Sequence, residues 1–152
     1  MPTMFILRGP SGSGKSTEAK KLVEKYPQAV VCSTDNYFID HYTGEYFFDG
    51  AKIKQYHQKN KETVELFCTL NIYDIIVDNT NTQMWEYQSY INLANKYNYQ
   101  VIVVEPTNDL WNTHKVGMTN EELEHLAQKL FERNVHGVSK DVIFKQLKRW
   151  EF

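Results

Sequence analysis

Gly9-Pro10-Ser11-Gly12-Ser13-Gly14-Lys15-Ser16-Thr17 fills every position of the pattern G-x-x-x-x-G-K-[ST]. Nucleotide phosphates carry dense negative charge, and a chain can wrap them closely only with backbone N–H groups free of crowding Cβ atoms. Gly9, Gly12 and Gly14 permit positive φ, so successive amides form an anion nest that opens a helix. Gly12, Ser13, Gly14, Lys15, Ser16 and Thr17 are therefore expected to hold a nucleotide. Lys15 bridges its β- and γ-phosphates, and the Ser16 hydroxyl ligates Mg²⁺. The flanks agree: Met4-Phe5-Ile6-Leu7 has the apolar run of a buried strand, and Glu18 to Tyr26 reads as a helix.

Outward from that stretch, 152 residues suit one domain with one core, so residues 1–152 are read as a single domain. A formal charge of −2 argues against a broad basic surface that wraps duplex DNA, and leaves room for a local basic groove at a polymer's end. Cys32 and Cys68 have no second pair to complete a zinc site or a disulfide framework, and read as small core residues of a reducing compartment. With neither a signal peptide nor an apolar run of membrane length, the expected location is cytoplasmic, with no membrane partner. Nothing in the pattern fixes an oligomeric state.

After the first helix, where Ala19, Leu22, Val23 and Tyr26 share one stripe, Ala29-Val30-Val31-Cys32 is a second strand and Ser33-Thr34-Asp35-Asn36 a polar turn. In an open parallel sheet the ligand crevice lies beyond the carboxyl ends of the strands, so Asp35 is expected beside the phosphate loop, as a functional group or as a turn residue. Tyr37 to Phe48, aromatic-rich and holding Gly44, suits a hairpin tip packed over that site, or core filling. Asp49 can cap the next helix, whose stripe of Ile53, Tyr56, Val64 and Phe67 is interrupted by His57 and Asn60; His57 fits a satisfied core position or a substrate contact. Tyr73 to Asp78 is a third strand that ends in a carboxylate, and Asp78 there can hold the Mg²⁺ shell with Ser16. Asn79-Thr80-Asn81-Thr82 follows, with Thr82 as a cap for the helix of Tyr87, Tyr90, Ile91, Ala94 and Tyr97. Gln100 to Glu105 is the fourth strand.

Asn108 to Gly117 is the least patterned stretch. Thr119-Asn120-Glu121-Glu122 is a capping box for a helix with Leu123, Leu126, Ala127 and Leu130 inward and Lys129 and Arg133 on the other face. Gly137 suits a left-handed turn, and Ser139 caps a last helix with Val142, Ile143, Leu147 and Trp150 inward. A cationic helix end before a glycine is one way to build a lid over phosphates, so about 108–139 is the lid candidate; a solvated basic face is the other reading.

Taken in order, the phosphate loop, Ser33-Thr34-Asp35-Asn36-Tyr37-Phe38, Val77-Asp78-Asn79-Thr80-Asn81-Thr82 with Trp85-Glu86, Glu105-Pro106 with Trp111, and Arg133-Asn134-Val135-His136-Gly137-Val138 resemble the polynucleotide 5′-kinase-like P-loop kinases. Within them the chain most resembles the NEDD4-binding-protein-2-like branch. The resemblance implies a three-layer α/β fold with a parallel sheet of about four strands and helices on both faces. It implies Asp35 as general base toward a hydroxyl, Arg133 on the transferring phosphoryl group, and Asp78 and Asn81 in an Asp-x-Thr-Asn motif. Asp35, Asn81 and His57 are thus the candidate substrate contacts, and Lys15, Asp35 and Arg133 the candidate catalytic set. One position departs from phage-type polynucleotide kinases, which carry arginine where this chain has Phe38. The expected reaction is transfer of the γ-phosphoryl group of ATP·Mg²⁺ to a hydroxyl, with a single-stranded nucleic-acid 5′ end favoured as acceptor. A nucleoside or other small metabolite is the alternative acceptor, and a nucleotide-dependent protein-binding module with little transfer is the alternative class.

Overall fold

The computed structural model describes residues 1–112, 118–134 and 136–152. Residues 113–117 and 135, inside the span read as a lid, lie outside the described residues. Strands β1 (Thr3–Leu7), β2 (Ala29–Cys32), β3 (Asp74–Asp78) and β4 (Gln100–Val104) form a four-stranded sheet in the order β2-β3-β1-β4. Every pairing is parallel, with Phe5 opposite both Ile76 and Ile102 and Cys32 opposite Val77. A parallel pair cannot be closed by a tight turn, so a helix crosses over after each strand. These crossovers are α1 (Lys15–Lys25), α2 (Ile53–Leu70) and α3 (Met84–Lys96).

The pleat divides the sheet's apolar residues between two faces. Phe5, Leu7 and Ile76 pack with Ala19 of α1 on one side. Met4, Ile6, Ile75 and Val77 pack with Val64 and Cys68 of α2 and with Tyr87, Tyr90 and Ala94 of α3 on the other. Burial on both faces is why β1 and β3 read as continuous apolar runs. Within that second core lies a polar group that periodicity treated as an interruption. Asn60 is fully buried and its amide donates to Tyr90 Oη at 2.9 Å and to the Cys32 carbonyl at 3.4 Å.

A separate core joins α4 (Asp109–Asn112), α5 (Asn120–Arg133) and α6 (Lys140–Lys148). Trp111 meets Trp150 edge-on at 4.8 Å there, over Leu126, Leu130, Ile143 and Leu147. The expected caps are in place: Thr119 and Glu122 form a reciprocal capping box, Ser139 accepts from the Val142 N–H, and Gly137 has φ 65°. Three expectations are corrected. Val23 and Val142 are exposed, because α1 and α6 each touch their neighbours along a narrow stripe. The α3 cap is Gln83, which accepts from the Glu86 N–H, while the Thr82 hydroxyl donates to Glu86 Oε2.

Candidate active site

All carboxyl ends of the parallel strands point to one edge, and the residues singled out from sequence gather there. At the end of β1, the Arg8 N–H donates to Val104 and the Gly9 N–H to the Thr80 carbonyl, so the chain leaves the sheet between its two neighbours. It then turns through Gly12 at φ 81° and Gly14 at φ 106° into α1, whose N-cap is Gly14. These glycines are needed sterically as well as conformationally. A Cβ on Gly12 would collide with the Leu130 carbonyl in the last turns of α5, and one on Gly14 would lie 3.0 Å from Asn108 Nδ2. Asn108 Nδ2 in turn donates to the Ser13 carbonyl at 2.6 Å, and Gln146 of α6 accepts from the Ser11 N–H at 2.9 Å. The loop's outer arc is thus hydrogen-bonded to two segments from the second half of the chain and lies close against a third, the last turns of α5. Ser16 and Thr17 remain exposed in the first turn of α1, where helix N–H groups and the helix dipole favour an anion.

Beneath the loop, Arg8 is buried with no carboxylate partner among the described residues. Its guanidinium donates to the carbonyls of Asn81, Thr82 and Glu151 and lies over the rings of Tyr87 and Trp150 at 4.8 and 4.3 Å. Asn81 belongs to the same scaffold. It is buried at φ 47°, and its amide donates to the Leu7 carbonyl at 2.8 Å, so the group expected to touch an acceptor is committed to β1.

Three titratable groups share the crevice. Burial lowers the Lys15 pKa, while Asp78 and Asp35 act to raise it. Burial raises the Asp78 pKa, opposed by Lys15 and reinforced by the like charge of Asp35. Lys15 Nζ lies 3.4 Å from the Pro10 carbonyl, at the limit of a hydrogen bond. One lysine facing two partly buried carboxylates leaves the crevice short of positive charge. Asp78 carboxylate and Ser16 hydroxyl are hard oxygen donors suited to a small divalent cation, so the residues present fit a metal as well as a nucleotide.

Asp35 lies on a 3-10 turn, Thr34–Phe38, that follows β2. Its backbone is pinned by Thr34, whose N–H donates to Asn79 Oδ1 at 3.0 Å and whose hydroxyl pairs with His57 Nδ1 at 2.9 Å. Desolvation first, and then Lys61, holds His57 below the ordinary histidine range. His57 therefore supports the Asp35 turn through Thr34. The expected hairpin follows: Ile39 bridges Tyr46, the Asp40 N–H donates to Glu45, and the Phe47 N–H donates to the Phe38 carbonyl. Tyr46 Oη donates to Asp35 Oδ1 at 3.1 Å, and His136 Nε2 stands 4.0 Å from Asp35 Oδ2. Phe38 is buried against Tyr46, Phe48 and Tyr56, whereas Phe47 and Phe48 are 59% and 61% exposed. Arg133 is exposed at the end of α5, one turn past Leu130, and makes no hydrogen bond or ion pair with the described residues.

Sequence reasoning placed Lys15, Ser16, Asp35 and Asp78 at the strand ends where they now lie. Asn108, Gln146 and the Tyr46–His136 contact were missed, since each joins segments far apart in the chain and no local spacing marks them.

Residues 4–115, which include the loop, both carboxylates and the four strands except for Thr3 of β1, match the family model described as an AAA domain. The chain belongs to this P-loop family. This AAA-domain chain is 36% identical to human NEDD4-binding protein 2 over 148 residues, which is 97% of its own length and 8% of that protein. It is 35% identical to the 2′,3′-cyclic-nucleotide 3′-phosphodiesterase of Rattus norvegicus over 107 residues, 68% of its length and 24% of that protein. It thus spans a small part of the curated relatives it matches. Its fold superposes on a chain of the Pnkp1/Rnl/Hen1 RNA repair complex with a TM-score of 0.66 and 21% identity, over 97% of this chain and 43% of that one. The fold is that of the P-loop kinases. Among the described residues no helix is long and apolar enough to cross a membrane.

Proposed function

We propose that this protein is an ATP-dependent kinase that transfers a γ-phosphoryl group to a hydroxyl, with the 5′-hydroxyl of a nucleic-acid end as its acceptor. The observation that carries the reading is Asp35: a second carboxylate, beyond the one at the end of β3, coupled to Lys15 and held by a tyrosine at the mouth of the crevice. A protein that only binds or hydrolyses nucleotide has no use for a base aimed at an acceptor. The relatives named for cyclic nucleotides and for RNA repair support an acceptor of nucleotide chemistry.

In this reading the amides of Gly12 to Thr17 and the Lys15 ammonium hold the donor's phosphates, and Ser16 and Asp78 hold Mg²⁺. The metal, when bound, offsets charge on the phosphate oxygens. Asp35 takes the proton of the acceptor hydroxyl as that oxygen bonds to the γ-phosphorus, the bond to the β-γ bridging oxygen breaks, and ADP departs. Arg133, a cation one turn past the loop-contacting end of α5 with no ion pair among the described residues, neutralises charge on the moving group. Phe38, buried where an arginine would read a backbone phosphate, leaves the acceptor to be met by apolar rings; exposed Phe47 and Phe48 suit the face of a base.

The test is transfer of labelled γ-phosphate from ATP to 5′-hydroxyl DNA, 5′-hydroxyl RNA and nucleosides. Labelled oligonucleotide ends are expected. Label on nucleosides alone would move the acceptor to small molecules, and no transfer to any hydroxyl would leave a nucleotide-dependent binding module.

A further inference from the structure

Asp35 is fixed at its backbone by Thr34, but the 3-10 turn that carries it supplies no donor to its carboxylate head. Among the described residues two side chains approach that head, one from the hairpin and one from the connection between α5 and α6. Tyr46 Oη donates to Oδ1 at 3.1 Å. His136 Nε2 stops 4.0 Å from Oδ2, beyond hydrogen-bond length, which leaves the lone pairs of Oδ2 open among the described residues. The two rings also hold each other: Tyr46 lies on His136 with centroids 4.5 Å apart and planes 32° apart.

We propose that Tyr46 is the positioning residue for the catalytic carboxylate, fixing Oδ1 so that Oδ2 faces the acceptor hydroxyl, and that the His136 ring braces Tyr46 from the α5–α6 side. The proposal rests on the reading of Asp35 as base. A base that swings between rotamers spends most of its time misaligned, and a single hydrogen bond from a rigid neighbour removes that freedom before substrate arrives. Tyr46 is such a neighbour. Its backbone is bridged to Ile39, its ring meets the edge of buried Phe38 at 6.1 Å, and burial beside Asp35 pushes its hydroxyl pKa upward, so it stays a donor. The other charged or titratable groups that act on Asp35 are Lys15 from α1, Asp78 from β3 and His57 from α2. None of these is hydrogen-bonded to it among the described residues.

A purely structural tyrosine would fill the hairpin and nothing more, and Tyr46→Phe separates the two roles because it keeps the ring and removes the donor. The expected result in the full chain, with ATP and a 5′-hydroxyl oligonucleotide both saturating, is a kcat about tenfold lower with KM for ATP unchanged. Tyr46→Phe added to Asp35→Asn should cost nothing further, because the two residues act as one unit. His136→Ala, which leaves the Tyr46 hydroxyl in place, should give a smaller loss in kcat. Wild-type kcat in Tyr46→Phe, alongside a large loss in Asp35→Asn, would overturn the positioning role and leave the base assignment standing. Full activity in Asp35→Asn would overturn the base reading and this proposal with it.

Discussion

The two sides of the crevice, donor and acceptor in the proposed reading, are built from different materials. The donor side is backbone: glycines at positive φ, amides at the start of α1, and one lysine. The acceptor side is side chain: a carboxylate on a 3-10 turn, a tyrosine on a hairpin, a histidine beyond α5, and a cluster of aromatic rings. Backbone geometry is dictated by a few consecutive residues and suits a ligand part that never varies, the phosphates. Side chains drawn from separate segments can be exchanged one at a time, which in the proposed reading suits the part that would select the acceptor hydroxyl.

That contrast is broken most sharply at Lys15. Lys15→Ala removes the lysine charge of the phosphate loop and should abolish transfer while circular dichroism shows the fold intact; undiminished turnover would end the nucleotide reading. On the acceptor side Asp35→Asn keeps size and shape but cannot take a proton. Transfer at saturating acceptor should fall by about a hundredfold, with ATP affinity nearly unchanged in a direct binding titration. Arg133→Ala should lower kcat by about the same factor, with a smaller change in ATP binding. An equal loss in ATP affinity without loss of kcat would make it a ground-state anchor of the donor side.

Smaller effects sharpen the boundary between the sides. Because Phe38 stands in place of a phosphate-reading arginine, acceptor binding should depend on salt with a slope corresponding to roughly one or two ion contacts on a single strand; a steep slope would reveal a basic channel. Asp78 gives the gentlest test. Burial raises its folded pKa above the unfolded value, so its stabilising contribution is present below the unfolded pKa and is lost as pH rises through the folded one. Above the unfolded pKa the buried carboxylate therefore costs the nucleotide-free protein stability. Asp78→Asn should raise the melting temperature by a few degrees at pH 7, with the gain shrinking toward pH 3, while weakening Mg²⁺-dependent nucleotide binding.

Most of the donor side was legible in sequence because it is local: one nonapeptide, one apolar run before it, and the carboxylate that ends the third run. The four strands were legible as short apolar runs: burial on both faces makes β1 and β3 apolar, while β4 reads the same way although Ile102 and Val103 are exposed. The acceptor side was legible only in outline. Aromatic richness around Gly44 marked a hairpin, but that Tyr46 would meet Asp35 and His136 depends on where α5 and α6 pack. Asn60 looked like a break in an apolar stripe because its partners, Tyr90 and Cys32, lie on other elements. Val23 and Val142 failed the helical period for the converse reason: a stripe predicts a face, and the width of the neighbour decides how much of that face is covered.

Arg8 carries a consequence for the order of folding. It precedes the phosphate loop by one residue, yet one of its acceptors is the Glu151 carbonyl, 143 positions away, and it stacks on Trp150. Ser11 likewise relies on Gln146, 135 positions away. During synthesis the strands and their crossovers can assemble as they emerge, while a guanidinium facing the interior waits for its last carbonyl and its ring. The phosphate loop, made first, should therefore be the part that matures last, and refolding followed by nucleotide binding should lag behind refolding followed by the signal of the sheet.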